Sequence, residues 1–155
     1  MLLGPQDDYF APEAIAQFLA TPWRVSARCD RMAYYFDGPA LAHAKGYNIT
    51  SDGIAMGAIQ VPGTGQPIVL MADRQSTGGY PKIGTVIGPD LGRLAQARPG
   101  SFVRFEAVSH AQALEARRAE LALLSGALTL SPVLRETFPS AYILRTPLVD
   151  GYVHD

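Results

Sequence analysis

Cysteine is nearly missing from this chain: Cys29 stands alone. An internal disulfide is therefore impossible, and a small buried residue in a reducing compartment is a simpler reading than a nucleophile. Histidine is also scarce, and His43, His110 and His154 share no helical or hairpin spacing, so no zinc or iron cluster is expected. Charge of one sign is lacking too. Thirteen Lys and Arg stand against 14 Asp and Glu, a net charge of -1, which gives no field to gather nucleic acid or an anionic membrane. No apolar run reaches the ~20 residues that span a bilayer. The opening Met-Leu-Leu-Gly-Pro-Gln-Asp-Asp has neither the basic start nor the apolar stretch of a signal peptide. A cytoplasmic protein with no nucleic-acid or membrane partner is the expectation.

Several site patterns are absent as well. Pro81 precedes Lys82 and Ile83 follows it, which breaks a phosphate-binding P-loop. Gly63 and Gly65 lead into Gln66, Pro67 and Ile68 rather than a dinucleotide fingerprint. No Gly-x-Ser-x-Gly elbow occurs to supply a hydrolase nucleophile.

What is present suits one small domain. The chain has 155 residues, 48% apolar and 17% charged, enough for one hydrophobic core and far from disorder. Pro12 to Ala20 reads as a helix, with proline in the first turn and Ile15, Phe18 and Leu19 on one face. Trp23–Ala27 and Ala33–Phe36 have strand character. Ala58–Val61 and Ile68–Ala72 flank a Pro- and Gly-rich loop and read as a hairpin, its second strand apolar without alternation and so buried on both faces. Thr85–Ile87 reads as a further strand, Pro89–Gln96 as a helix, and Phe102–Val108 as a half-buried strand with Val103, Phe105 and Ala107 inward. Ser109 and Gln112 form a capping-box pattern for a helix starting near His110, with Leu114, Leu121, Leu124 and Leu128 along one stripe. The remainder, from Thr129, shows no sustained period. Many short strands with few helices suggest a closed or nearly closed sheet.

Nine of the 15 glycines lie between Gly53 and Gly92, so short strands and tight turns dominate there. Within this stretch, Asp73-Arg74-Gln75-Ser76-Thr77-Gly78-Gly79-Tyr80-Pro81-Lys82 leaves an apolar strand and carries seven hydrogen-bonding side chains around paired glycines. Polar loops anchored on a rigid strand are where sites are built, although the same residues also make ordinary turns. Gly78 and Gly79 could expose successive N–H groups as an anion nest, and Lys82 is one of two lysines in the chain. Gln60, alone in an apolar strand, is either a satisfied core amide or a ligand contact.

The string Ser51 to Pro62, then Gly65 to Leu70, then Asp73 to Ile83 closely resembles the C-terminal half of the biotin-dependent carboxyltransferase family, also called allophanate hydrolase subunit 2 or the C subunit of 5-oxoprolinase. Gly4-Pro5-Gln6-Asp7, Asp30-Arg31-Met32 and Leu94 to Gly100 continue the match. The resemblance implies a mainly β fold, a cyclophilin-like β-barrel with a few flanking helices, covering residues 4–125 and leaving 126–155 as a C-terminal extension. It also implies a facing N-terminal module of the same family and a companion subunit as partners. In one respect the chain departs from the family. The family follows Asp-Arg-Met with glycine and, two residues later, a basic residue, whereas this chain has Ala33-Tyr34-Tyr35, so the resemblance gives no support to an anion contact from that strand.

What the resemblance implies about activity is a subunit or domain of an enzyme complex acting on a small amide or lactam. The reaction is either ATP-dependent hydrolysis of 5-oxoproline or transfer of a carboxyl group from carboxybiotin to a urea-like nitrogen. This module would bind no cofactor itself, ATP or carboxybiotin coming from partner chains. Both reactions develop negative charge on oxygen, where preorganised donors stabilise the transition state by several kcal/mol. Lys82, Asp73 and Thr77 are the candidate catalytic residues; Gln60, Gln75, Gly78, Gly79, Tyr80 and Arg31 are the candidate substrate-binding residues. No metal site is expected. The alternative is a non-catalytic interaction module antagonising an inhibitor of a histidine kinase.

Overall fold

A computed structural model describes residues 1–126, of which Met1–Leu123 form one compact unit. Short strands make the body: β1 (Leu2–Leu3), β2 (Trp23–Val25), β3 (Ala33–Asp37), β5 (Ala58–Gln60), β6 (Ile68–Leu70), β8 (Lys82–Thr85) and β9 (Phe102–Val103). They form one antiparallel sheet in the order β1-β8-β5-β6-β3-β2-β9. A separate ribbon pairs β4 (Asp52–Gly53) with β7 (Thr77–Gly78). The two edge strands of the sheet do not pair directly. Instead the Met1 nitrogen donates to the Glu106 carbonyl (2.7 Å) and the Val108 N–H to the Met1 carbonyl (2.9 Å). Those bonds bridge the seam of the curled sheet and satisfy backbone groups that an open edge would leave free. The result is the mainly β, cyclophilin-like barrel that the sequence suggests.

Inside, alternation along the strands sends Trp23, Val25, Phe36, Ile59, Val61, Val69 and Ile83 into one large core. Helix α1 (Pro12–Ala20) plugs it with Phe18, whose ring stacks on Phe105 at 5.0 Å and whose carbonyl accepts from the Trp23 indole at 2.9 Å. Each such buried large side chain stabilises the fold by roughly 1.5–3 kcal/mol. The opposite face of the sheet carries a smaller cluster of Ala33, Ile54, Ala58 and Leu70. Strand β6 therefore contributes Val69 to one core and Leu70 to the other, which explains its unbroken apolar run.

Helix α2 (Gly88–Ala95) opens with Pro89 and buries Leu94; the Tyr34 hydroxyl donates to its Ala95 carbonyl at 2.8 Å. Tyr35 lies beneath the Arg28 guanidinium, 4.9 Å from the ring centre. Helix α3 (His110–Ser125) starts as the capping box dictates: the Gln112 N–H donates to Ser109 Oγ (3.2 Å) and the Ser109 N–H to Gln112 Oε1 (2.8 Å).

Three expectations need correction. Strand β8 begins at Lys82 and ends at Thr85, so it does not start at Thr85. A bulge between Ile59 and Gln60 lets Gln60 pair with Lys82, while the Val86 N–H bonds Gly57 beyond the ladder. Strand β9 stops at Val103, because Trp23, its last partner, begins the three-residue β2; Phe105 is buried but Ala107 is exposed. Finally, no residue of α3 is buried, and Leu114 and Leu121 are exposed. Leu128 and the rest of the 127–155 segment lie outside the described residues.

Candidate functional site

The bulge that starts β8 early has a direct consequence for chemistry. It brings Lys82 alongside Gln60. Both side chains are buried, Lys82 to 3% and Gln60 to 2% exposure. Ala58, two residues before Gln60, belongs to the smaller cluster, and the Gln60 amide lies beside Gly78 and Ile54. Gln60 therefore points to the face of the sheet opposite the main core, beneath the β4–β7 ribbon.

A buried ammonium needs a partner, and the ribbon supplies it. Lys82 Nζ donates to Asp52 Oδ2 at 2.8 Å and to the Gly53 carbonyl at 3.4 Å. Gln6 adds a second donor, its Nε2 lying 3.3 Å from the same Asp52 oxygen. Gln6 is itself locked to β8: its N–H donates to the Lys82 carbonyl (3.1 Å) and its Oε1 accepts from the Lys82 N–H (3.2 Å). The Lys82 hydrogen bond, then those of the Gly53 N–H and Gln6, hold the Asp52 carboxyl below its ordinary pKa. Asp52 nevertheless stays half exposed, at 52%.

The nominated residues divide into two groups. Lys82, Gln60 and Gly78 come together, and the Tyr80 carbonyl joins them by accepting from Gln60 Nε2 at 3.5 Å. Arg31 and Asp73 form an exposed pair of their own: Arg31 Nε and Nη2 donate to the two carboxylate oxygens at 2.8 and 3.2 Å. Arg74 braces the same turn through the Ile54 and Met71 carbonyls. The Gln75 and Thr77 side chains and the Tyr80 ring are exposed.

The paired glycines lack the left-handed residue of an αR–αL anion nest, since neither Gly78 nor Gly79 has a positive φ. Gly78 is a strand residue opposite Asp52, and the Gly79 carbonyl accepts from Ile49. Gly78 serves close approach instead: a Cβ there would sit 2.7 Å from Ile54 Cδ1 and 2.8 Å from Gln60 Nε2. The Lys82 ammonium is paired with Asp52.

Asp52 and Gln6 are the members that sequence reading missed. Ser51-Asp52-Gly53 looks like turn chemistry, and the contacts to Lys82 span 30 and 76 positions, so no local pattern announces them. A hollow of about 490 Å³ lies elsewhere, at the barrel seam between α2 and residues 102–108, lined by Met1, Leu94, Phe105, Arg93, Arg104 and Glu106 among others. None of the nominated residues lines it. Among the described residues no three His, Cys, Asp or Glu side chains converge as metal ligands, and no helix is long and apolar enough to cross a membrane.

Known proteins share this architecture. The chain is 46% identical over 116 residues to the C subunit of 5-oxoprolinase from Haemophilus influenzae, covering 74% of this chain and 38% of that one. It is 39% identical over 117 residues to the corresponding Escherichia coli protein, covering 76% and 38%. It thus spans little more than a third of either relative. Among solved structures, Kluyveromyces lactis urea amidolyase superposes with a TM-score of 0.76 at 25% identity, over 84% of this chain and 9% of that one. Residues 1–107 match the family described as carboxyltransferase domain, subdomain A and B. By that match and these identities, the chain belongs to the carboxyltransferase subdomain A and B family.

Proposed function

We propose that the chain is one module of an enzyme subunit acting on a small amide or lactam, and that the assembled complex opens 5-oxoproline with ATP. The observation that carries this reading is the 46% identity to the Haemophilus influenzae 5-oxoprolinase protein. The urea amidolyase and urea carboxylase relatives share only 25–29%, which ranks carboxyl transfer from carboxybiotin to a urea-like nitrogen second. In this reading ATP handling and the rest of the active site belong to the partners that the family resemblance implies, a facing module of the same family and a companion subunit.

Within the module, Lys82 supplies positive charge and Gln60 an amide edge, both preset by the sheet. Asp52 holds the ammonium in place, and Gln6 holds the Asp52 carboxylate and the Lys82 backbone. Such preorganised donors reduce the reorganisation needed when negative charge develops on oxygen. Asp73 and Arg31 brace the segment that carries Thr77 and Tyr80 through their ion pair.

The test is to co-express the chain with the facing module and the companion subunit and measure ATP hydrolysis with and without 5-oxoproline. Lactam-dependent turnover that needs this chain is expected. A stable assembly that hydrolyses no ATP in response to 5-oxoproline would overturn the proposal, and binding of a kinase inhibitor in its place would point to a regulatory module.

A further inference from the structure

The seam of the curled sheet is closed at one end only. The Val25 N–H donates to the Ser101 carbonyl at 2.8 Å, and the register continues Arg24 with Phe102 and Trp23 with Val103. Bonds alternate along an antiparallel pair, so the backbone groups of Phe102 and Arg104 face away from β2, toward the seam. At the closed end, Met1 bonds the Glu106 carbonyl and the Val108 N–H, which is the parallel pattern. Among the described residues, the Arg104 N–H and carbonyl and the Glu106 N–H have no backbone partner. This open edge borders the hollow of about 490 Å³, with residues of α2 on its far side. Phe105 is buried there, whereas Phe102, Arg104 and Glu106 are exposed. Neither Arg104 nor Glu106 belongs to an ion pair among the described residues.

An unpaired strand edge beside a hollow is a template for one more strand. We infer that residues 102–106 receive an extended segment of a partner protein, running parallel to them in the slot before α2. Repeating the Met1 pattern two residues earlier, one residue of that segment donates to the Arg104 carbonyl and accepts from the Glu106 N–H. Its side chains alternate between faces. Those beside Val103 and Phe105 are apolar and meet Val86 and Leu94, which line the hollow. The one beside Arg104 is acidic and the one beside Glu106 basic, because opposite charges across a strand pair attract. Five residues at ~3.3 Å each cover the edge. Open backbone groups with free charges of both signs select a strand over a small apolar ligand. Nothing in this docking requires the lactam reading.

The probe is the peptide acetyl-Thr-Val-Glu-Val-Lys-amide, added to the intact chain. Nuclear magnetic resonance titration should shift the amides of residues 102–106, and hydrogen exchange at Arg104 and Glu106 should slow at least about tenfold at saturation. N-methylation of the second valine removes the donor to the Arg104 carbonyl while keeping every side chain, and should weaken binding at least about tenfold. The reversed sequence, acetyl-Lys-Val-Glu-Val-Thr-amide, matches the charges only as an antiparallel strand and should bind as weakly. Arg104→Glu, at an exposed position, should weaken the first peptide severalfold, and acetyl-Thr-Val-Lys-Val-Lys-amide should recover the loss. Equal affinity for the methylated peptide would reduce the slot to a plain apolar hollow and overturn the inference. So would tighter binding of the reversed peptide, no shift at these amides, or self-association of the chain that protects the same two amides without peptide.

Discussion

Replacing each of the two adjacent glycines by alanine separates close packing from turn chemistry. At Gly78 the new methyl would lie 2.7 Å from Ile54 Cδ1 and 2.8 Å from Gln60 Nε2, both inside normal contact, and both neighbours are buried. Overpacking of this kind costs about 1–3 kcal/mol. For a chain of this size each kcal/mol lowers Tm by about 2–4 °C, so Gly78→Ala should melt about 2–12 °C below wild type. At Gly79 the nearest atom to the new methyl is the Ile49 carbonyl oxygen at 3.4 Å, and φ is not positive. The unfolded chain loses freedom while the folded one loses nothing, so Gly79→Ala should gain about 0.4–1 kcal/mol. Paired thermal melts, with urea titrations to check that the m-value is unchanged, provide the assay. Equal destabilisation at both positions would refute the reasoning, because it would mean that the glycines are required for a special backbone conformation and not for the approach of the ribbon to Gln60.

Other expectations follow from the same geometry. The folded-state pKa of Asp52 is depressed by Lys82, Gly53 and Gln6, so its contribution is complete above the unfolded value of about 3.9 and is lost as pH falls through the lower folded value. Asp52→Asn should therefore flatten the acid limb of the stability curve and leave the slope near neutral pH unchanged; parallel acid limbs in the two proteins would contradict this. Gly84→Ala would place a methyl 2.6 Å from the Leu2 carbonyl oxygen and into the Met1 side chain, so it should cost about 3 kcal/mol in urea unfolding. A stability equal to wild type would show that β1 can shift away. Burial raises the Cys29 thiol pKa, and its Sγ lies 3.7 Å from the Tyr35 carbonyl. Alkylation by iodoacetamide at mildly alkaline pH should be slower in the native chain than in urea, as followed by mass spectrometry; matching rates would place the thiol in open solvent.

Local signals carried the helices. Pro12 and the spacing of Ile15, Phe18 and Leu19 define α1, and Ser109 with Gln112 defines the start of α3, because caps and amphipathic faces are written in adjacent residues. The hairpin of β5 and β6 was equally plain, as a glycine-rich loop between apolar runs. Pairings between distant segments were not. Lys82 reads as the end of a loop until the bulge at Gln60 draws it into β8, and Phe105 to Val108 read as a strand although the backbone partner of this stretch is Met1, at the other end of the chain. The candidate site shows the same division. Gln60 and Lys82 stood out by type, an amide and a lysine among apolar neighbours, whereas Asp52 and Gln6 became visible only once the ribbon and the first turn folded over β8. The segment from Asp73 to Tyr80 looks like one polar loop; tertiary pairing divides it between an Arg31–Asp73 brace and a strand that pairs with Asp52–Gly53 and packs on Gln60.

Lys82 is the charged centre on which the proposed chemistry depends. The direct measurement is kcat/KM for 5-oxoproline-dependent ATP hydrolysis by the assembled complex carrying Lys82→Met, with assembly confirmed by size-exclusion chromatography. A fall of about 10²-fold or more is expected if the ammonium meets negative charge in the reaction. An intact complex with wild-type kcat/KM would contradict it and reduce Lys82 to a structural partner of Asp52.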